Sequence, residues 1–467
     1  MSFHNLSYFA FLPVAAVCYL KAPKKVQPGV LLAASLWFYW CNRPAAASWG
    51  LGWQLLPMVL LVAVSLFCWA LGRAIQAAQP PRRGRLVAVG VCGLLAMLAV
   101  FKYFNFFVPV FAPGVLHKLP FPLGVSFYTF AAISYLVDVG RGDMPAEESP
   151  LNLTAFLCFF GTITAGPICR ARTLLPQLRQ EHRFDAARTV TALQLFALGL
   201  FRKVAVADPL YTYASQVFGD VPGHGGLSLL AATLAYTFYL YFDFAGYSEM
   251  ARASALLLGL DIPENFKTPF FATNFSGFWN RWHISLSSWV RDYLFLPLSS
   301  FTRRWGQWGV AASLMVTFIA LGVWHGAGWT FAVYGFIQGL VIVWELRTER
   351  IRNKVRKHIG RRLFATLSVI RTYLIFAVSL VFFKAQSVSD AFYFLRNISF
   401  QTHASWKEIN IGMSDHICIV AGAALLLMLL YDYLMSKRNQ HRRLERQPIL
   451  LRWTIYYLIV FALFAYG

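Results

Sequence analysis

Apolar stretches of membrane-crossing length recur from one end of this chain to the other, and that recurrence constrains its fold more than any single motif. A helix needs about 20 apolar residues to cross a bilayer, and candidate spans fall near 6–20, 29–41, 51–72, 86–104, 121–139, 190–210, 228–247, 309–325, 329–346, 363–384, 416–434 and 449–466. Several are short or interrupted. With 58% hydrophobic and 13% charged residues the chain departs from soluble composition, so we expect an all-α polytopic membrane protein. Roughly ten to thirteen transmembrane helices, together with re-entrant segments, would surround a central channel.

Charge orients the spans. The chain carries 42 Lys+Arg against 20 Asp+Glu, and these cations lie in short runs between apolar stretches. The runs at Lys21/Lys24/Lys25, Arg73/Arg82/Arg83/Arg85, 347–362 and 437–446 should face the cytoplasm, and the weakly charged 42–50, 211–226 and 400–415 should face out. Twelve spans walked from an outside N-terminus satisfy every one of these loops and put both termini outside. The first span is followed, not preceded, by its positive charges, the reverse of a signal peptide. A basic excess arranged this way, without a zinc pattern or a folded basic face, excludes nucleic-acid binding. The 347–362 run is read as a topological anchor, with a helix on anionic lipid as the alternative. Seven scattered cysteines without CxxC spacing indicate neither a disulfide framework nor a metal site.

Two stretches break the pattern. Residues 151–169 are apolar yet flanked on both sides by expected cytoplasmic charge, so they should enter and return, with Gly161, Gly166 and Pro167 forming the turn. Residues 264–300 are rich in Trp and Phe but also in Asn, Arg, His and Ser. Such a polar segment survives at membrane depth only when protein or a water-filled cavity surrounds it.

Ionisable groups inside spans are costly and are functional candidates by default. Of ten histidines, His283 and His325 alone sit in strongly apolar or aromatic surroundings. His325 lies between two spans among Gly322, Gly326, Ala327 and Gly328, small residues that allow close approach. Its imidazole could be a general base or a structural histidine bonded to a carbonyl. Read as one helix, residues 278–293 carry Phe278, Trp282, Trp289 and Tyr293 on one side, with Asn280, His283, Ser287 and Arg291 on another. That stripe suits a cavity wall or a structural hydrogen-bond network. Glu249 is expected to pair with Arg252 one turn on. Asp243 has no partner nearby in sequence, so it should pair across helices or order a base.

At these residues a family pattern is legible. Tyr241–Met250 (YFDFAGYSEM), Pro263–Phe266 (PENF), Phe278–Leu298 with its RWHISLSSW and RDYLFLPL runs, and Val323–Ala327 (VWHGA) resemble the membrane-bound O-acyltransferase family. Pro122–Phe130, Ala165–Ile168, Leu175–Leu178, Gly199–Asp208 and Val381–Ala385 extend the likeness over most of the chain, nearest to the bacterial alginate O-acetylase-like branch.

The resemblance implies one membrane-bound O-acyltransferase domain over 1–467 in a bacterial cytoplasmic membrane. It would move an acetyl or other acyl group from a cytoplasmic thioester, acetyl-CoA or an acyl carrier, towards an exported polysaccharide of the alginate, cellulose or peptidoglycan type. Transfer would be direct or through an external acetyltransferase partner. No tightly bound cofactor and no metal are implied. His325 would be the catalytic histidine and His283 its companion in the cavity. Asn280, Ser287, Trp282, Trp324, Asp243, Arg281 and Gln338 would line the channel. Two positions depart from the pattern: Gln338 stands where another histidine is usual, and Lys384 where arginine is usual. The rival functions are D-alanyl transfer from a carrier protein to a cell-wall polymer, a transporter, which would use broken spans in the same way, and a scaffold for a separate acetyltransferase.

Overall fold

A computed structural model of the chain describes residues 1–43, 51–111, 119, 121–399, 406, 410–411 and 413–436. The described residues form helices and connecting loops without a strand. Residues 44–50 of the expected external loop 42–50, most of the expected external loop 400–415, the basic run 437–446 and the span 449–466 lie outside the described residues. The helices divide between two compact units, Met1–Phe196 with Tyr247–Glu264, and Ala197–Gly246 with Asn265–Gly467.

In the first unit, α1 (Leu6–Lys21), α2 (Gln27–Cys41), α3 (Leu51–Ala77), α4 (Arg82–Phe111) and α5 (Val125–Arg141) begin and end within a few residues of the apolar runs. The α1–α2 turn is fixed by a buried glutamine. Gln27 Nε2 donates to the carbonyls of Tyr19 (3.2 Å) and His182 (2.6 Å), and its Oε1 accepts from the His182 amide at 3.0 Å. Helix α6 (Pro150–Cys158) opens with Pro150 at its first turn and a Ser149 cap accepting from the Asn152 amide at 3.3 Å. Its nine residues reach about 14 Å, too short to cross a bilayer. The chain then turns through 159–168, where Phe159, Phe160 and Ile163 are buried, and enters α7 (Ala171–Leu178). Irregular backbone there is shielded by protein, as entry and return of 151–169 requires. Arg252 pairs with Glu264 at 3.8 Å, a partner that the helical spacing did not indicate. The chain bends back after α9, and that brings the PENF carboxylate to the arginine.

Two long helices carry the chain between the units. Helix α8 (Ala186–Gly219) contains a π-helical turn at Arg202–Ala207, and α9 is Gly226–Leu257. In the second unit, a 3₁₀ turn at Pro269–Phe271, α10 (Phe275–Trp279), α11 (Ile284–Val290), a π turn at Arg291–Phe295 and α12 (Leu296–Phe301) occupy the polar, Trp-rich segment. This corrects the single helix expected over 278–293. The helix stops at Trp279, and Asn280 caps its end. His283 opens α11 with φ +45°, a left-handed conformation costly for a non-glycine residue. The four stripe residues therefore do not share one helical face.

After them come α13 (Gln307–His325), α14 (Trp329–Arg347), α15 (Glu349–Ile359), α16 (Arg361–Lys384), α17 (Val388–Asn397) and α18 (Asp415–Ser436). The basic α15 buries none of its residues. Among the described residues eight helices (α3, α4, α8, α9, α13, α14, α16 and α18) are long and apolar enough to cross a membrane. The 16-residue α1 is apolar but shorter.

Candidate active site

The α13–α14 hairpin places His325. Its helices approach at Gly322, Gly335 and Gly339. A Cβ at Gly322 would fall on the Phe331 carbonyl oxygen and 2.8 Å from Gly335 Cα, and one at Gly339 would stand 3.3 Å from Met315 Cα. Backbones this close require glycine on both helices, the small-residue packing typical of membrane helices. His325 ends α13, half-buried. Its ring lies 4.9 Å from Trp324, 5.2 Å from Phe383 and 6.2 Å from Tyr334. Tyr334 and Phe383 are additions to the sequence reading. Phe383 belongs to a motif quoted for the family, whereas Tyr334 gave no signal.

His283 is placed by Asn265, the polar residue of the PENF motif. The Asn265 carbonyl accepts from the Ile284 amide at 2.9 Å, and its side-chain Oδ1 accepts from the Ser285 amide at 3.2 Å. His283 Nδ1 faces the same Oδ1 at 3.4 Å. An oxygen already accepting one N–H presents an acceptor to the ring, so Nδ1 carries the proton and Nε2 is left as an acceptor. The Phe244 ring meets the imidazole edge-on at 4.6 Å. Burial pushes the His283 imidazole well below the ordinary histidine range, and the nearby His325 adds to the effect. The two histidines are thus neighbours electrostatically, though 42 positions apart in sequence.

The other expected residues divide. Trp282 is buried among aromatic rings, 4.9 Å from Phe376, 5.2 Å from Phe266 and 5.5 Å from Phe278, and works as packing behind His283. Ser287 Oγ donates to the Trp282 carbonyl at 3.0 Å, so its hydroxyl proton is committed. The Arg281 carbonyl accepts from the Lys267 amide at 2.9 Å. Trp324 flanks His325. Asn280 is exposed at the end of α10. Gln338, one turn beyond Tyr334 on α14, is fully buried and donates to Ser379 Oγ at 2.7 Å. Asp243 finds its partner across helices in Lys203, whose Nζ lies 2.6 Å from Asp243 Oδ1 and 2.7 Å from Asp208 Oδ1.

The π turn of α8 also sets a buried charge cluster. Arg202 Nη2 donates to Asp432 Oδ1 at 2.9 Å and the Tyr241 hydroxyl donates to Asp432 Oδ2 at 2.6 Å, joining α8, α9 and α18. π turns concentrate at functional sites. This one sends two adjacent cations to different carboxylates.

The sequence profile of the membrane-bound O-acyltransferase (MBOAT) family matches residues 144–385, which contain both histidines and the whole hairpin. The probable alginate O-acetylase AlgI of Pseudomonas putida is 34% identical over 401 residues, covering 83% of this chain and 78% of that protein. The peptidoglycan O-acetyltransferase of Helicobacter pylori is 28% identical over an alignment of 520 positions, 98% of this chain and 94% of that protein. The teichoic acid D-alanyltransferase of Bacillus subtilis is 29% identical over 265 residues, 55% of this chain and 67% of that protein. The chain therefore belongs to the membrane-bound O-acyltransferase family, and is a helical, multi-pass membrane O-acyltransferase.

Proposed function

We propose that the chain, working as a single acyltransferase domain in a bacterial cytoplasmic membrane, passes an acetyl group from a cytoplasmic thioester, acetyl-CoA or an acyl carrier, to a hydroxyl acceptor on the external side. The acceptor is an exported polysaccharide, or a partner protein that hands the group on. The observation that carries this reading is the setting of His325, which the glycine-packed hairpin holds against the Trp324, Tyr334 and Phe383 rings. Acetyl is preferred over D-alanyl because the acetyl-transferring relatives align with far more of the chain. Charge on the loops supports a cytoplasmic face at 21–25, 73–85 and 347–362, with both termini outside.

In the proposed step the acceptor oxygen attacks the thioester carbonyl while the His325 imidazole takes its proton. The tetrahedral intermediate then collapses, the C–S bond breaks, and the leaving thiolate recovers the proton from the imidazolium. Positioned base catalysis of this kind contributes about 10²–10⁴ in rate. His283 in its Nδ1–H tautomer holds the acceptor hydroxyl through Nε2. It therefore does not donate to the developing oxyanion, and the Ser287 hydroxyl is committed elsewhere.

The test is His325→Ala in liposomes supplied with labelled acetyl-CoA. Release of coenzyme A and acceptor acetylation should fall at least 100-fold while the protein still inserts and elutes as a single species. Full turnover by that variant refutes the reading. Native protein that releases no coenzyme A favours transport without chemistry.

A further inference from the structure

The charges around the end of α16 are not evenly matched. Lys203 takes both nearby carboxylates, Asp243 and Asp208, at 2.6 and 2.7 Å. Lys384, the last residue of α16, pairs with no carboxylate among the described residues. Its Nζ stands instead 5.4 Å from the centre of the Tyr211 ring and 5.9 Å from that of Tyr236. The rings of Tyr211 and Tyr239 lie 4.7 Å apart, and those of Tyr236 and Tyr239 5.7 Å. Tyr236 is buried, Tyr239 half-buried and Tyr211 exposed, so the ring cluster opens to one side. On the other side it reaches the histidine wall. Phe383, next to Lys384 in the chain, lies 5.2 Å from both His325 and Tyr334.

The helix C-terminus and the two tyrosine faces each offer the ammonium only partial negative charge, worth roughly 1 kcal/mol apiece. They hold it in place without neutralising it. An ammonium fixed this way beside an exposed aromatic ring has the chemistry of an acidic-sugar site. The cation takes the anionic group and the ring takes the C–H face.

We propose that Lys384 and Tyr211 form a specificity subsite for an anionic sugar unit of the acceptor, a carboxylate or a phosphate, and so present its hydroxyl to His325. This rests on the acyl-transfer reading above. Lys384 is not catalytic; it selects which acceptor the histidine acylates.

The experiment compares three acceptors with the native protein, Lys384→Met, Lys384→Arg and Tyr211→Ala in liposomes. The acceptors are a uronic-acid oligomer, a glycerol-phosphate oligomer and a neutral glucan oligomer of equal length. In Lys384→Met the ratio of kcat/KM for the anionic acceptor to that for the neutral one should fall about tenfold, the loss of one charge-assisted hydrogen bond, chiefly through KM. Lys384→Arg should restore at least half of the native ratio. Tyr211→Ala should weaken anionic and neutral oligomers together. Whichever anionic oligomer loses its advantage identifies the group as carboxylate or phosphate. A ratio unchanged in a Lys384→Met protein that elutes and melts like the native one overturns the proposal, and so does a native protein that acylates neither anionic oligomer. His325→Ala separates the two claims: if it transfers at the native rate the acyl-transfer reading fails, whereas the Lys384 ratio is read in protein that keeps His325.

Discussion

Gly322→Ala offers the sharpest test of how the hairpin positions its histidine. The added methyl would meet Gly335 Cα at 2.8 Å, against the 3.4 Å at which ordinary contact begins, and would also press on the Phe331 carbonyl oxygen. Both neighbours are backbone, so neither can rotate away, and α13 and α14 must separate by more than the 0.6 Å missing at Gly335 Cα, because the Phe331 carbonyl oxygen is closer still. His325 sits three residues further along α13 and moves with it. A misplacement of about 1 Å costs on the order of 10² in rate when reacting groups must align, so a shift of roughly this size should lower kcat by about 100-fold. Stability should change far less, because alanine favours a helix over glycine by about 1 kcal/mol, which offsets part of the lost packing. The assay is coenzyme A release in liposomes together with thermal unfolding in detergent. Gly93→Ala in α4, where a methyl would meet nothing within 4 Å, is the control. Gly322→Ala protein that folds and turns over at the native rate would show that helix approach does not set the position of the base.

Two further outcomes follow from the buried polar groups. Asp432→Ala removes the carboxylate shared by Arg202 and Tyr241 and leaves a guanidinium buried in the helix bundle. It should cost about 3–5 kcal/mol, read as a large fall in the unfolding midpoint in detergent, whereas a midpoint within 2 °C of native would count against a structural role for the pair. His283 gives a pH dependence. Its folded imidazole resists protonation, so the unfolded chain takes up a proton near pH 6.5 that the folded chain refuses, and stability must fall as pH falls through that value. The limiting slope is about 1.4 kcal/mol per pH unit for one proton. His283→Asn, which tolerates the left-handed backbone, should flatten the decline in unfolding midpoint between pH 7 and pH 5. An unchanged decline would mean that other groups cause it.

The long helices were legible because a bilayer demands unbroken apolar length. For that reason α13, α14 and α16 each begin and end within two residues of the runs that signal them, whereas α8 and α9 continue nine and ten residues past theirs. The polar segment was legible only in composition. Its alternation of aromatic and polar residues fits one helix numerically, yet the backbone breaks at Asn280–His283, because Asn265 draws the Ile284 and Ser285 amides and the His283 ring to itself. No local pattern encodes a hydrogen-bond hub 18 positions away. The partner of Asp243 was hidden for the same reason. Lys203 lies 40 residues upstream, in a π turn that a hydropathy profile cannot register. Arg252 shows the same limit, because chain reversal brings it Glu264 at 3.8 Å, a partner that helical spacing cannot indicate.

Apart from Lys384, the charged groups described above in the second unit are matched. Arg202 meets Asp432, Lys203 meets Asp208 and Asp243, and Arg371 meets Glu345 at 2.6 Å, while the Glu345 carboxylate also caps the Phe275 amide at 2.7 Å. Each set satisfies within the second unit groups that would otherwise be expensive in an apolar bundle. A base that must be neutral before it acts needs neighbours that neither donate a proton to it nor hold it charged. Locking the cations and carboxylates onto one another leaves the imidazoles facing tryptophan, tyrosine and phenylalanine rings. If that is the purpose of the ion pairs, unpairing one near the site should alter the chemistry and not only the stability. Asp243→Asn frees the Lys203 ammonium from one of its two carboxylates, and it should shift the acid limb of the pH–rate profile before it shifts the unfolding midpoint. A variant whose midpoint falls while its pH–rate profile stays fixed would reduce the Lys203 cluster to a structural clamp.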